Sequence, residues 1–356
     1  MDIFDSLRTQ GHEQLVIGQD PGCGYFGIIA IHDTTLGPAL GGTRVWQYAS
    51  TTEALTDALR LAKGMTYKSA VAGLNLGGGK AVIIADPRRP DREAMFRAHG
   101  RLVHSLAGRY ITAEDVGTSP VDMEHVRLET PHVSGLLGLS GDPSPVTGFG
   151  VYCAMKATAK ETWGADSLAG KTVAVQGTGK VAHALMALLH RDGATLIVAD
   201  IDAEKTARAA AEFGATVVST TAILTTPCDI FSPNALGATI DDAFIDGLQA
   251  PAICGGANNQ LAEPRHGDEL ARRGVVYAPD YVANGGGVIN IYGELSGWPE
   301  SRARQKASEI YDTTTRVFGI ARRDSVPTYV AADRLAEERL AVVRGLRRMA
   351  VPADRR

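Results

Sequence analysis

The sequence predicts an α/β protein of two domains, and three observations carry that expectation. With 356 residues the chain is long enough for two domains at roughly 100–200 residues each. Its first third mixes strand-like and helix-like segments, whereas beyond about 148 strands and helices alternate, the signature of a parallel sheet covered by helices on both faces. Between these regions SGLLGLSGDPSPVTG (134–148), rich in Gly, Pro and Ser, is the best candidate for a boundary or hinge.

The elements follow in order. Segments 14–18, 26–33 and 80–86 read as strands, because each is rich in β-branched residues and bounded by turn signals. Ser50 and Glu53 form a capping-box pattern. It opens a helix with Leu55, Ala58, Leu59 and Ala62 on one face, which Gly64 is expected to stop. Residues 91–107 read as another helix, ending near Gly108. Past the hinge come the strand KTVAVQ, a helix from about 179, the strand ATLIVAD and a helix from about 202. CDIF (228–231), AICG (252–255) and VVYA (275–278) are short strands, and from about 299 the chain is mostly helical. The tail with Arg344, Arg347, Arg348, Arg355 and Arg356 reads as a solvated, fraying helix end.

Composition excludes several functions. Lys+Arg 36 against Asp+Glu 40 leaves a net charge of −4, no footprint for a polyanion, so no nucleic-acid partner is expected. No run of roughly 18 apolar residues suggests a membrane span, and the acidic start lacks the apolar core of a signal peptide. Cys23, Cys153, Cys228 and Cys254 lack metal-type spacing, and the nine histidines are scattered. A cytoplasmic protein without a metal is expected. Glycine is the outlier: 40 residues, about 11% against an average near 7%. Those glycines should mark tight turns or places where backbone approaches a ligand.

Two glycine patterns compete for a dinucleotide. Gly22-Cys23-Gly24-Tyr25-Phe26-Gly27 matches GxGxxG, but it follows QDP rather than a strand and precedes a strand rather than a helix. Pyrophosphate is held by a helix N-terminus, so this match reads as a hairpin turn. Gly177-Thr178-Gly179-Lys180-Val181-Ala182 has the required context, between strand and helix. Gly177 permits the tight turn, Gly179 lets backbone reach the pyrophosphate, and Ala182 is small enough for helix–strand packing. Asp200 ends the next strand, where an acid accepts from ribose hydroxyls and repels a 2′-phosphate, favouring NAD over NADP.

Lys68 and Lys80 flank three glycines, Gly77 to Gly79. A P-loop is rejected, since Leu74 and Ala81 stand where Gly and Ser or Thr are needed. A lysine buried beside a second cation falls below its usual pKa of about 10.4 and becomes a general base. Glu114 and Asp115 end an apolar strand and could exchange a proton with it. By chemistry alone the alternative stays open: surface lysines and a solvated acidic loop.

The segments HDTTLGPALGGTR (32–44), GMTYKSAVAGLNLGGGKAVII (64–84), GRYITAEDVGT (108–118), SPVTGFGVYCAMKA (144–157), GGANNQL (255–261) and YAPDYVANGGGVINI (277–291) resemble the NAD-dependent amino-acid dehydrogenases of the glutamate/leucine/phenylalanine/valine superfamily, the leucine branch above all. The resemblance runs nearly end to end. It implies an N-terminal mixed-sheet domain for substrate and oligomerisation (1–134), a Rossmann NAD-binding domain (135–326), a deep cleft between them, and C-terminal helices from about 327 packing back on the first. It further implies Lys80 as the base that activates the hydrolytic water and Asp115 as the proton shuttle to the amino group. Lys68 would bind the substrate carboxylate, its charge helping to depress Lys80. Gly41, Gly42, Met65, Gly77 and Gly78 would line the substrate site. Thr147, Ala235 and Asn259 would meet the cofactor, Asn259 also the substrate, and Gly285 to Gly287 would lie near the nicotinamide.

The implied reaction is oxidative deamination of an amino acid to a 2-oxo acid and ammonium by a homo-oligomer. The implied side-chain pocket, Leu40, Ala113, Val288 and Ile291, is aliphatic, which suits branched hydrocarbons and gives a second carboxylate no partner. Leucine, valine and isoleucine are therefore expected, with phenylalanine or broad specificity as the alternative and a non-catalytic NAD-binding regulator as the competing class. Thr178, Lys180, Asn234, Gly285 and Tyr292 depart from the leucine pattern.

Overall fold

The apolar runs of the first third pair as a sheet in the computed structural model, which describes residues 3–138 and 142–346. Hinge residues 139–141 and the tail arginines from Arg347 onward lie outside the described residues. Two compact units are present. The first comprises Met1–Gly141, Glu294–Gly297 and Ala336–Arg356, and the second Asp142–Gly293 and Trp298–Leu335. The chain thus changes unit at 141/142, within the Gly-, Pro- and Ser-rich stretch, and returns to the first at Glu294–Gly297 and again from Ala336.

In the first unit, helix α1 (Ile3–Gln10) precedes strands β1 (Gln14–Asp20), β2 (Tyr25–Asp33) and β3 (Ala39–Trp46). Helix α2 (Thr51–Val71), β4 (Gly77–Ile84), α3 (Glu93–His104), β5 (Tyr110–Glu114) and α4 (Pro120–Arg127) complete it. The sheet order is β1-β2-β4-β3-β5; β1, β2 and β4 pair antiparallel, while β3 runs parallel to β4 and β5. The expected mixed sheet is there. Residues 22–27 form the β1–β2 connection, with Asp20 opposite Tyr25 and Gly24 at φ +66°, a hairpin turn as their context required.

Alternation along β4 sorts its two faces. Val82 packs with Ala54, Leu55, Ala58, Leu59 and Ala62 of α2. On the opposite face Ala81 meets Val103 and Tyr110, and Ile83 meets Met95 and Phe96. Each Leu of α2 taken from water contributes about 1.5–3 kcal/mol. The Ser50 side chain accepts from the Glu53 N–H at 3.1 Å, while the Glu53 carboxylate reaches the Ala49 N–H rather than that of Ser50.

One expectation is corrected here. Gly64 does not stop α2: the helix continues to Val71, because burial of Thr66, Ser69 and Ala70 outweighs glycine's modest cost of roughly 1 kcal/mol. Residues 39–46, which carry no local strand signal because of Pro38, Gly41 and Gly42, form β3, the strand between β4 and β5.

The second unit opens with α5 (Ser144–Trp163), apolar on nearly every side and buried accordingly, which is why it carries no amphipathic signature. Then come β6 (Thr172–Gln176), α6 (Lys180–Arg191), β7 (Thr195–Ala199), α7 (Ala203–Phe213), β8 (Thr216–Val217), β9 (Ile230–Pro233), α8 (Asp242–Gly247) and β10 (Ala252–Ile253). They are followed by α9 (Pro264–Arg272), β11 (Val276–Tyr277), α10 (Asp280–Ala283), α11 (Gly286–Leu295), α12 (Glu300–Ser308), α13 (Ile310–Asp324) and α14 (Thr328–Arg344), the end of α11 from Glu294 and of α14 from Ala336 belonging to the first unit. All six strands are parallel, in the order β11-β10-β9-β6-β7-β8. Numbered within the unit this is 6-5-4-1-2-3, the doubly wound order whose direction switches beside β6, at the glycine turn.

Candidate active site

Lys80 lies on β4, two residues from Val82, and therefore on the face toward α2. It is 4% exposed. Its Nζ is 3.0 Å from Asp115 Oδ2, a carboxylate that follows the end of β5. The structure thus brings together the expected base and the expected proton shuttle. Burial pushes the Lys80 pKa down, opposed by Asp115 and reinforced by Arg44. Burial works to raise Asp115, but Lys80 and Arg44 outweigh it and hold the carboxyl below its ordinary range. The pair is poised for proton exchange in a site from which water is largely excluded.

A second cation stands beside this pair. Arg44 of β3 works to lower the Lys80 pKa. Arg44 Nε donates to Asp115 Oδ2 at 2.9 Å and Nη1 to Asp57 Oδ2 at 2.8 Å. Sequence reasoning missed it because β3 was not recognised as a strand; with that strand assigned, alternation from Val45, which packs toward α3, directs Arg44 toward α2. Lys68 and Met65 lie half-buried on α2.

The glycines near Lys80 are held by the fold itself. A Cβ on Gly41 would sit 1.7 Å from the Gly79 carbonyl oxygen, on Gly77 2.0 Å from that of Asp33, and on Gly78 2.0 Å from the Thr66 nitrogen. One on Gly42 would meet the Glu114 carbonyl oxygen at 2.3 Å. Strands and helix approach too closely for any side chain, a reason independent of a ligand. Leu40 and Ala113 are buried beside them, Leu40 opposite Gly78 and Gly42 opposite Ala113.

In the second unit, Gly177 follows β6 with φ +88°, and a Cβ there would lie 2.8 Å from the Ala235 nitrogen. Ala235 stands just beyond β9, so the switch point brings these two cofactor candidates together. Gly179 is the N-cap of α6 with no side-chain cap, and a Cβ there would meet nothing within 4 Å. Uncapped N–H groups below open space are what a pyrophosphate requires, so the residues present fit a dinucleotide. Ala182 is buried in the helix–sheet packing and Val181 half-buried.

Asp200 accepts from the Thr178 N–H at 2.7 Å and hydroxyl at 3.1 Å, and from the Asp202 N–H at 3.0 Å. Partial burial would raise its pKa, but those bonds outweigh burial and keep it ionised. The carboxylate therefore shapes the glycine turn and retains lone pairs for a ribose. Lys180 is exposed and 3.1 Å from Asp142.

Thr147, in the first turn of α5, donates to the Pro143 carbonyl at 2.9 Å. A Cβ on Gly286 would clash with the Val146 carbonyl oxygen at 2.4 Å, so α11 starts directly against α5. Val288 is buried and Ile291 half-buried on that helix. Asn259 is exposed with φ +51°, and its carbonyl accepts from the Ala238 N–H at 2.7 Å.

Two departures acquire structural reasons. Asn234 Oδ1 accepts from the Gly256 N–H at 2.9 Å while its Nδ2 donates to the Ser232 carbonyl, joining the ends of β9 and β10. Tyr292 packs edge-on against Trp298, ring centroids 5.1 Å apart, with the Arg302 guanidinium over the Trp298 ring. Asn284, missed from sequence, is buried and donates to Asn258 Oδ1 at 2.8 Å, bracing the loop that carries Asn259.

A buried lysine–carboxylate pair in a mixed-sheet unit, with a doubly wound unit bearing an open glycine turn, defines a dehydrogenase. Family comparison agrees: residues 14–132 match the Glu/Leu/Phe/Val dehydrogenase dimerisation domain, and residues 138–206 and 196–344 match glutamate/leucine/phenylalanine/valine dehydrogenase. The chain belongs to the Glu/Leu/Phe/Val dehydrogenase family and is an amino-acid dehydrogenase. It is similar to leucine dehydrogenase of Geobacillus stearothermophilus, 58% identical over 98% of this chain and 95% of that one. Valine dehydrogenase of Streptomyces coelicolor is 48% identical over 94% and 93%. The crystal structure of L-tryptophan dehydrogenase from Nostoc punctiforme superimposes with a TM-score of 0.86 at 44% identity, covering 96% of this chain and 99% of that one. A nicotinamide cofactor is the class this family and fold imply.

Proposed function

We propose that the chain catalyses the reversible, NAD-dependent oxidative deamination of branched-chain L-amino acids to 2-oxo acids and ammonium. The observation that carries the chemistry is the buried contact of Lys80 Nζ with Asp115 Oδ2 at 3.0 Å. A bound nicotinamide dinucleotide supplies the hydride acceptor. Lys80, once neutral, takes a proton from the water that attacks the substrate's imino carbon. Asp115 exchanges protons with the substrate nitrogen, and Lys68 holds the α-carboxylate. General acid–base transfer of this kind is worth about 10²–10⁴ in rate.

Substrate and cofactor choice follow from charge. Leu40 of β3 and Ala113 of β5, both buried and apolar, offer a side-chain carboxylate no cation, so glutamate is disfavoured and aliphatic side chains are bound. Discrimination among leucine, isoleucine and valine is modest, since one methylene is worth about 1–3 kcal/mol. Asp200 at the end of β7 favours NAD, because a 2′-phosphate there would face a carboxylate. The match to a dimerisation domain and the edge position of β1, with Ile17 half exposed, support a homo-oligomer. Four free cysteines fit a reducing cytoplasm.

The test is kcat/KM for NAD reduction with leucine, isoleucine, valine, phenylalanine and glutamate, beside Lys80→Ala. The branched-chain substrates should lead and Lys80→Ala should abolish turnover. A phenylalanine preference would overturn the pocket assignment, and no response to any amino acid would overturn the activity.

A further inference from the structure

We propose that Arg44 is a positioning residue of this reaction: its guanidinium fork holds Asp115 against Lys80 and is itself held by Asp57 and Tyr48. The inference rests on the reading of Lys80 and Asp115 as the proton-transfer pair.

The geometry is a chain of five side chains from two strands, one helix and two loop positions. Asp115 Oδ2 receives both Lys80 Nζ at 3.0 Å and Arg44 Nε at 2.9 Å. The other arm of Arg44 reaches Asp57 Oδ2 at 2.8 Å, an oxygen that also accepts from the Tyr48 hydroxyl at 2.7 Å. Asp57 sits on α2 above the sheet, and its second oxygen takes Arg60 at 3.1 Å. Only a planar fork can bridge two carboxylates in this way; a lysine at position 44 would reach one at a time. The outer end of the chain, at Arg44, Tyr48 and Asp57, borders a cavity of about 680 Å³, whereas Lys80 at the inner end is buried. The brace is thus the more exposed end of the chain and the base the less exposed.

Among the charges that act on Lys80 are Asp115 from the end of β5, Arg44 from β3 and Asp57 from α2. Tyr48, which feels Asp57 and Arg44, and Tyr110, which feels Asp115, are held protonated by burial. Two cations therefore balance two carboxylates along the chain, with Arg60 at its rim. Removing Arg44 leaves Lys80 facing two carboxylates, so Lys80 holds its proton more tightly. Neutralising Asp57 has the opposite sign: it leaves the Arg44 charge less compensated, and Lys80 releases its proton more readily.

Two measurements on the full-length enzyme test this with Arg44→Gln, Arg44→Lys and Asp57→Asn. One is the pH at which kcat/KM for L-leucine oxidation by NAD rises. The other is the pH midpoint of Lys80 acetylation by trace acetic anhydride, read by mass spectrometry, which needs no turnover. Arg44→Gln should move both midpoints upward by about one pH unit, costing about tenfold in kcat/KM below the midpoint. Arg44→Lys should return the midpoint toward wild type while kcat stays reduced, because the charge is restored and the bridge is not. Asp57→Asn should shift the midpoints downward. Midpoints that stay put, or that move the same way in Arg44→Gln and Asp57→Asn, would overturn the proposal. If wild type reduces no NAD with any amino acid, the activity reading fails, and the acetylation midpoints still decide whether Arg44 and Asp57 act on Lys80.

Discussion

A Cβ on Gly41 of the first unit would lie 1.7 Å from a carbonyl oxygen, whereas one on Gly179 of the second would meet nothing within 4 Å. Around Lys80 glycine lets the protein's own backbones touch, and the site's residues are locked by that contact. At the head of α6 glycine leaves room, and the N–H groups there point into it. A glycine-rich stretch beside a site is thus either packing or vacancy, and the neighbouring main chain decides which.

The contrast can be broken most forcefully at Gly41. Gly41→Ala should cost about 3 kcal/mol or more, read as lost soluble yield or a large fall in Tm, because β3 and β4 cannot separate without unpairing. An unchanged Tm would mean the strands tolerate a side chain and the closed-packing account is wrong.

The same closed packing surrounds His99, bonded to Tyr25 and Thr43 and pushed down to a pKa of about 3 by burial. Unfolding lets it protonate near 6.5, so the unfolded chain binds the extra proton between about pH 3 and 6.5. Stability from His99 is complete above pH 6.5 and falls below it by up to about 1.4 kcal/mol per pH unit. Urea midpoints of wild type and His99→Gln between pH 4.5 and 8 should show a flatter acid slope in the variant. Parallel slopes would remove His99 from that role.

At Gly179 the effect should fall on binding rather than folding. Gly179→Ala, whose backbone lies at an ordinary φ of −66°, should keep Tm within about 2 °C of wild type yet weaken NAD binding about tenfold, near 1.4 kcal/mol, by calorimetry. Equal affinities would show that nothing occupies that space.

Gly64 sharpens the comparison with the smallest effect. It lies inside α2 with open space around it, so Gly64→Ala should stabilise by about 0.5–1 kcal/mol. A loss of stability would reveal a packing role that the open surroundings do not show.

Much of this was legible before any coordinates. The hairpin at 22–27 and the strand-to-helix turn at 177–182 share one pattern and are separated by their flanking elements alone, because a helix must follow a phosphate turn. Lys80 and Asp115 were paired in advance by resemblance, not by spacing. β3 was not legible: its glycines and Pro38 imitate a turn, and only pairing with β4 and β5 makes it a strand. Nor was α5, whose burial on nearly all sides erases the period that marks an amphipathic helix.

Local patterning by itself determined the parallel alternation of the second unit, the glycine turn between β6 and α6 and the acid that follows β7, because each depends on residues near one another in sequence. Tertiary structure alone decided that Arg44 joins Lys80 beside Asp115 and that Gly41, Gly42, Gly77 and Gly78 are demanded by backbone. Those facts depend on which strands become neighbours, and strand order is set by the pairing of distant segments rather than by any segment's own composition.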